Sequence, residues 1–443
     1  MRTIVVFYHA RVWLPLRSSN EAHLLCWRRY ARHRVLYVNV AFNVPWGLLR
    51  KLNIDAVLFD PMFWVMHWDP TYFTARSAQC LPIKDFSCLK IAIVQDEFLH
   101  MDIVNQFLRE IGITDVLTCS DPRDWRTIYP LLDPQTTRFR TVLTGYVDER
   151  RLTDVNARKQ PVRDIDIGYR AWDNPYWLGE HGTLKVTIGQ KIKEAARQRG
   201  LRVDIDNPAQ YLIGIEWFDF LQRCRTVLGV EGGASVFDYD GSIKQKVESY
   251  ILKYPGASFE ETRANCFPED DHRINLSCLS PRHFEAAMTH TCQVLLSGEY
   301  NGVFKPWIHY IPVERDYSNI EDVLNAIDNS VLTEQIADRA YDDLVASGKW
   351  SYAAFVRYIE VSIIEAPPAK ARKHPRIVEI ITFYLLYAWE RLIWHYVHLE
   401  VSKKRGGVFE LKVLRWLYRS YSEGLARLRW AGRRLLLLTT PKG

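Results

Sequence analysis

DIDIGY (Asp164–Tyr169), TLKVTIGQKIKEAARQR (Thr183–Arg199) and LRVDI (Leu201–Ile205) decide the fold. The first and third segments read as buried strands. The middle one reads as a helix, closed by Gly200. Strand, helix and strand in succession imply a parallel pair with a crossover helix. Downstream the pattern continues with a strand at Thr226–Val230 leading into Gly232-Gly233, a helix at Pro281–Thr291 and a strand at Val294–Leu296. Upstream, six further strands are expected at Thr3–His9, Arg34–Val40, Asp55–Asp60, Lys90–Gln95, Asp115–Ser120 and Phe139–Leu143, with helices such as Asn20–Arg32 between them. The polar stretch Arg151–Arg163 reads as a linker, and Pro367-Pro368 marks a break. The expected organisation is α/β: two doubly wound, Rossmann-like domains over 1–155 and 160–365, facing across a cleft, and a basic helical tail over 370–443. Ligands of such sheets bind beyond the C-terminal strand ends, so chemistry is sought there.

Composition sets the class. The 443 residues are 48% hydrophobic and 25% charged, which describes a globular chain long enough for two or three domains. The 15 Trp and 23 Tyr suit sugar sites and cores alike. Eight cysteines without a CxxC pair or paired metal spacing point to a reducing, cytoplasmic setting, with no disulfide framework and no metal. MRTIVVFYHARVW reads as a first strand and not a signal peptide, and no apolar run reaches the ~18 residues that span a bilayer. The net charge of +6 is divided unevenly. From Lys370 onward sixteen Lys and Arg face five Glu, so the tail is strongly basic and the body mildly acidic.

Four stretches of the second domain carry the chemistry. Arg170 ends its first strand, and Gly179, Gly182 and Lys185 follow. Glycines admit close backbone approach to a phosphate, and the two cations would meet a diphosphate, unless the loop only turns. EGGAS places Gly232, Gly233 and Ser235 at a strand end, without the spacing of a P-loop. SPRHFEAA puts Ser280 at a helix N-cap, Arg282 and His283 at the helix start, and Glu285 about one turn in. A carboxylate there can accept hydrogen bonds from vicinal ribose hydroxyls, or can simply favour the helix dipole. Tyr300 and Asn301 lie in a Gly- and aromatic-rich connection read as a binding loop.

In the first domain the strand ends offer His9, Asp96, Glu97 and His100. Asp96 and Glu97, directly after KIAIVQ, are the best candidates for a base that deprotonates an acceptor hydroxyl, with His9 a weaker one; a loop carboxylate or helix cap is the plain alternative. No HExxH, GxSxG or Cys/His cluster appears.

DIGYR, PYWLGEHG, EGGASVFDYDG, SPRHFEAA and GEYNGVFKPWIHYIPVERDYSNIEDVL together resemble the nucleotide-binding half of GT-B glycosyltransferases, especially bacterial surface-polysaccharide enzymes of the group 1 type. The resemblance spans about Asp164 to Tyr358; the first domain matches in pattern alone. It implies sugar transfer from a nucleotide sugar to a glycan or lipid-linked acceptor, with no further cofactor. Glu285 would hold the ribose, and Arg170 and Lys185 the diphosphate. Retaining members often carry a second acid seven positions earlier, where this chain has Cys278. A nucleotide-sugar epimerase or a non-catalytic scaffold would suit the same fold.

In Phe409–Arg434, Leu411, Leu414, Tyr418, Tyr421, Leu425 and Leu428 share a helical face, with Lys412, Arg415, Arg419 and Arg429 off it. Such a helix lies on an anionic membrane surface or packs back on the first domain. The expected location is cytoplasmic and peripheral to the membrane, and no nucleic-acid motif is present.

Overall fold

The computed structural model describes residues 1–11, 17–157, 162–206, 212, 214–367 and 373–403, with side chains to 396. The stripe expected over Phe409–Arg434 lies outside the described residues. The first sheet holds β1 (Thr3–Tyr8), β2 (Arg34–Asn39), β3 (Ala56–Phe59), β4 (Leu89–Ile93), β5 (Asp115–Thr118) and β6 (Arg138–Thr141). The second holds β7 (Ile165–Arg170), β8 (Val203–Asp206), β9 (Cys224–Gly229), β10 (Cys292–Leu296) and β11 (Ile311–Val313). Their orders are β2-β1-β3-β4-β5-β6 and β11-β10-β9-β7-β8, and every pairing is parallel. Both are doubly wound. The order reverses beside the first strand of each, between β1 and β3 and between β7 and β9, and those switch points open crevices at the strand ends. All of β1 is buried, as a strand covered by helices on both faces must be.

Four expectations are corrected. The linker begins as a helix, Glu149–Asn156, capped by the Asp148 carboxylate on the Arg150 amide. The crossover helix starts at Glu180, ahead of Thr183. Ile311–Val313, where the sequence pattern predicts no strand, pairs with β10, Val294 opposite Ile311; three residues are too few to show a period. The last segment expected in the second domain, before residue 365, packs on the first. Tyr352, Phe355, Val356 and Ile359 share a core with Ile4, Val6 and Trp27 of the first domain, because Val147 and Ser351 pair where the chain crosses back.

A helical excursion, Ser242–Lys253 and Phe259–Cys266, ties the domains together. Val247, Cys266 and Phe267 join the core that holds Phe59, Leu99 and Phe107. Asp238 exchanges backbone hydrogen bonds with Phe98 and His100 at 2.8 and 3.0 Å. Gly241, at φ +82°, lies under the His100 imidazole, and a Cβ there would come within 1.8 Å of the ring. Gly241→Ala therefore meets both a left-handed backbone and a clash. We expect a loss of about 1–3 kcal/mol, read as a lower melting temperature, with part regained in the Gly241→Ala/His100→Ala double variant.

The eight cysteines are unbridged. No helix among the described residues is long and apolar enough to cross a membrane.

Candidate active site in the interdomain cleft

The strand ends of both sheets open into one cleft of about 810 Å³. Asp96, Glu97, Arg170, Lys185, Gly232, Gly233, Arg282 and Glu285 all line it. The two sheets bring them together from positions nearly 190 residues apart.

On the first-domain wall the two acids separate. Asp96 follows β4 in a left-handed conformation, φ 58°, and its side chain is exposed to the cleft. The Trp68 Nε1–H donates to its carboxylate at 3.2 Å. The cleft walls withdraw enough water to raise the Asp96 carboxyl above its ordinary range, against the opposing pull of Trp68 and the more distant Lys185. Glu97 is buried. It accepts hydrogen bonds from Thr118 Oγ1 at 2.7 Å, from Cys119 Sγ at 3.7 Å and from the Tyr129 hydroxyl. Burial pushes its pKa up to about 7. Its acceptor sites are engaged by protein, so Asp96 is the carboxylate available to a substrate. His9 is buried, bonds the Tyr72 hydroxyl at 2.9 Å, and is held near a pKa of about 4 by burial, with Arg11 and Arg76 adding to the shift. His100 is likewise buried, against Gly241.

On the opposite wall Glu285 sits in the helix Pro281–Met288, half-buried. The Trp217 indole N–H donates to its Oε2 at 2.8 Å, and the Arg282 guanidinium carbon lies 5.4 Å from the centre of the same indole. Burial raises the Glu285 carboxyl, while Trp217 and Arg282 oppose the rise. Ser280 occupies the N-cap, but its hydroxyl makes no capping bond. Lys185 lies in the second turn of Glu180–Gln198. Among the described residues its ammonium has no hydrogen-bond or ion-pair partner. Burial, and then Arg282, lower its pKa to about 8. Arg170, by contrast, pairs with Asp204 at 2.9 Å, bonds the Tyr169 and Asp204 carbonyls, and lies over the Phe220 ring.

Other expected ligand contacts turn out to hold the protein together. The Gly232 and Cys278 backbones pair, and a Cβ on Gly233 (φ +99°) would lie 2.0 Å from the Leu276 carbonyl oxygen. The glycines thus admit a neighbouring backbone. Ser235 Oγ accepts from the His181 amide at 3.0 Å and so completes the start of the crossover helix. His283 is buried between Gln293 and the Val230 carbonyl, its pKa lowered to about 4 by burial. Tyr300 is buried, its hydroxyl donating to the Leu296 carbonyl at 2.6 Å and its amide to Glu231 at 2.7 Å. Asn301 Oδ1 accepts from the Leu279 amide at 2.6 Å. None of these last four side chains lines the main cleft.

The cleft also contains Arg17, Trp68, Trp172 and Trp217, which the motif reading did not single out. Arg17 precedes the first helix of the first domain, yet acts electrostatically on Asp96, Lys185 and Glu285. A tryptophan in an amphipathic helix such as Ile215–Arg223 looks like core, so nothing local marks Trp217. Among the described residues one group, Glu180, Asp271 and His272, brings metal-ligand atoms within 4.8 Å of one another. It lies outside the main cleft, with Asp271 accepting from the Glu180 amide.

No family model matches the chain, and no curated protein matches it. Solved structures do. An alpha-glucosyltransferase in complex with UDP-glucose and DNA containing an abasic site is similar at 12% identity, covering 82% of this chain and 98% of its own, with a TM-score of 0.48. Alr3699/HepE of Anabaena in complex with UDP-glucose is similar at 9% identity, over 82% and 100%, with a TM-score of 0.46. Sucrose-phosphate synthase from Thermosynechococcus elongatus is similar at 8% identity, over 83% and 100%, with a TM-score of 0.43.

Proposed function

We propose that this chain is a glycosyltransferase of the GT-B type, moving a sugar from a nucleoside diphosphate donor to an acceptor hydroxyl. The supporting observation is the make-up of the cleft: Lys185, beside Arg282 and Glu285 on one wall and without an ion-pair partner among the described residues, and the exposed Asp96 carboxylate on the other. Glu285 accepts from the ribose hydroxyls. Lys185 and Arg282, joined by Arg17 from the first domain, offset the charge that grows on the diphosphate as its bond to the sugar breaks. Asp96 takes the proton of the acceptor hydroxyl as the new glycosidic bond forms. In this reading side chains supply the positive charge that a metal would otherwise supply. A glycan or lipid-linked acceptor of surface-polysaccharide synthesis fits the reading, with the basic tail holding the enzyme to the cytoplasmic face of an anionic membrane.

Calorimetric titration with uridine and guanosine diphosphates tests the donor site. Lys185 is charged below its pKa of about 8, so affinity is highest below that pH and declines as pH rises through it; Lys185→Arg keeps affinity flat across the same range. Absence of binding by either nucleotide at neutral pH rejects the reading. Product analysis with the matching sugar nucleotide then separates transfer to an acceptor from epimerisation of the donor and from binding without turnover.

A further inference from the structure

The helix Arg376–Lys403 is seated on the first domain with two carboxylates, Glu379 and Glu390, turned inward beside Leu386 and Ile393, and with a row of apolar side chains turned outward. It covers the edge strand β2. Glu379, Thr382, Leu386, Glu390 and Ile393 recur at helical spacing and are all buried. The Glu390 carboxylate meets Arg28 at 2.5 Å and accepts from the Tyr37 amide of β2 at 3.1 Å. Glu379 pairs with Arg34 and accepts from Asn53 at 2.9 Å. These bonds fix the rotation of the helix about its axis. Turning the helix about its axis would break both ion pairs and set apolar side chains against Arg28 and Arg34.

The opposite face is therefore turned to solvent. Ile377, Ile381 and Tyr384 are 63%, 54% and 66% exposed, and Ile380, Leu385 and Leu392 are exposed beside them. A continuous apolar face on a helix is a docking surface, not scattered exposure. Its charge identifies the occupant. Up to residue 396 both acids of the helix are turned inward, while Arg376 and Arg391 stand exposed at either end of the stripe. Counting these four, the sequence from Lys370 onward holds sixteen Lys and Arg against five Glu. Apolar and aromatic side chains bordered by cations and free of exposed carboxylates suit the interface of an anionic bilayer.

We propose that this outer face lies in the headgroup region of an anionic lipid bilayer and docks the first domain against the membrane. Docking through this face does not depend on sugar transfer. The principal membrane contact is then not residues 409–434 but a helix whose orientation is fixed by ion pairs with Arg28 and Arg34 of the first domain.

Flotation of the full-length protein with vesicles of phosphatidylcholine, with and without phosphatidylglycerol, tests it. Wild type binds the phosphatidylglycerol vesicles. Ile381→Asp/Tyr384→Asp lowers that partitioning by about tenfold or more, at unchanged melting temperature and nucleoside diphosphate affinity. A full-length Arg415→Glu/Arg419→Glu variant keeps most of the binding. Wild-type partitioning by the Ile381/Tyr384 variant overturns the proposal, and so does failure of the wild type to bind anionic vesicles. A wild-type dimer in light scattering that the Ile381/Tyr384 variant dissociates would reassign the face to a second copy of the chain. None of these readouts uses catalysis, so the sugar-transfer reading stands or falls separately.

Discussion

Asp96→Asn lowers the rate of sugar transfer by roughly 10²–10⁴-fold while leaving nucleoside diphosphate affinity nearly unchanged. The amide keeps the shape and the bond from Trp68 but cannot take a proton. The choice of Asp96 over Glu97 comes from their surroundings. Asp96 presents its carboxylate to the cleft with one indole N–H against it, whereas Glu97 is enclosed by Thr118, Cys119 and Tyr129. Glu97→Gln should act mainly on folding, because it replaces an acceptor of three hydrogen bonds with a group that must also donate. The raised Asp96 carboxyl carries a further consequence. The rate should fall with acid already above the ordinary aspartate range, and that acid limb should vanish from the residual activity of Asp96→Asn. Single-turnover rates at saturating donor check both points. A near-normal rate in Asp96→Asn removes it as the base.

Glu285→Gln weakens nucleoside diphosphate binding by roughly tenfold or more. Hydrogen bonds from ribose hydroxyls to a carboxylate contribute about 1.5–3 kcal/mol each, and 1.4 kcal/mol is a decade of affinity. The amide retains one acceptor oxygen, so the loss is partial. Trp217 aligns that carboxylate through its 2.8 Å bond; Trp217→Phe should therefore give a smaller loss, and one that largely disappears in the Glu285→Gln background. Calorimetric titration of the four proteins measures the coupling. Equal affinity in wild type and Glu285→Gln would leave Glu285 as a helix residue only, and independent effects of the two changes would separate Trp217 from it.

The sequence alone determined the class of fold, because strands buried on both faces and helices between them leave a period in the chain that needs no partner to be read. Ten of the eleven strands among the described residues are legible this way, and the short β11 is not. The positions of Asp96, Lys185, Arg282 and Glu285 followed as well, since a doubly wound sheet sends the residues after its strands, and the first turns after them, to one rim. The sequence could not say which polar groups were already satisfied. Ser235 answers to His181, Tyr300 to Glu231 and His283 to Gln293 and Val230, and each partner but Gln293 lies tens of residues away. Arg17 and Trp217 enter the site for the same reason, carried there by loops and helices whose local pattern is that of any surface or core. The helix Arg376–Lys403 shows the limit most plainly. Its composition announces an apolar helix, but the direction it faces depends on Arg28 and Arg34, which draw Glu390 and Glu379 inward. Periodicity reports which residues share a face, and only the tertiary contacts decide whether that face meets protein or solvent.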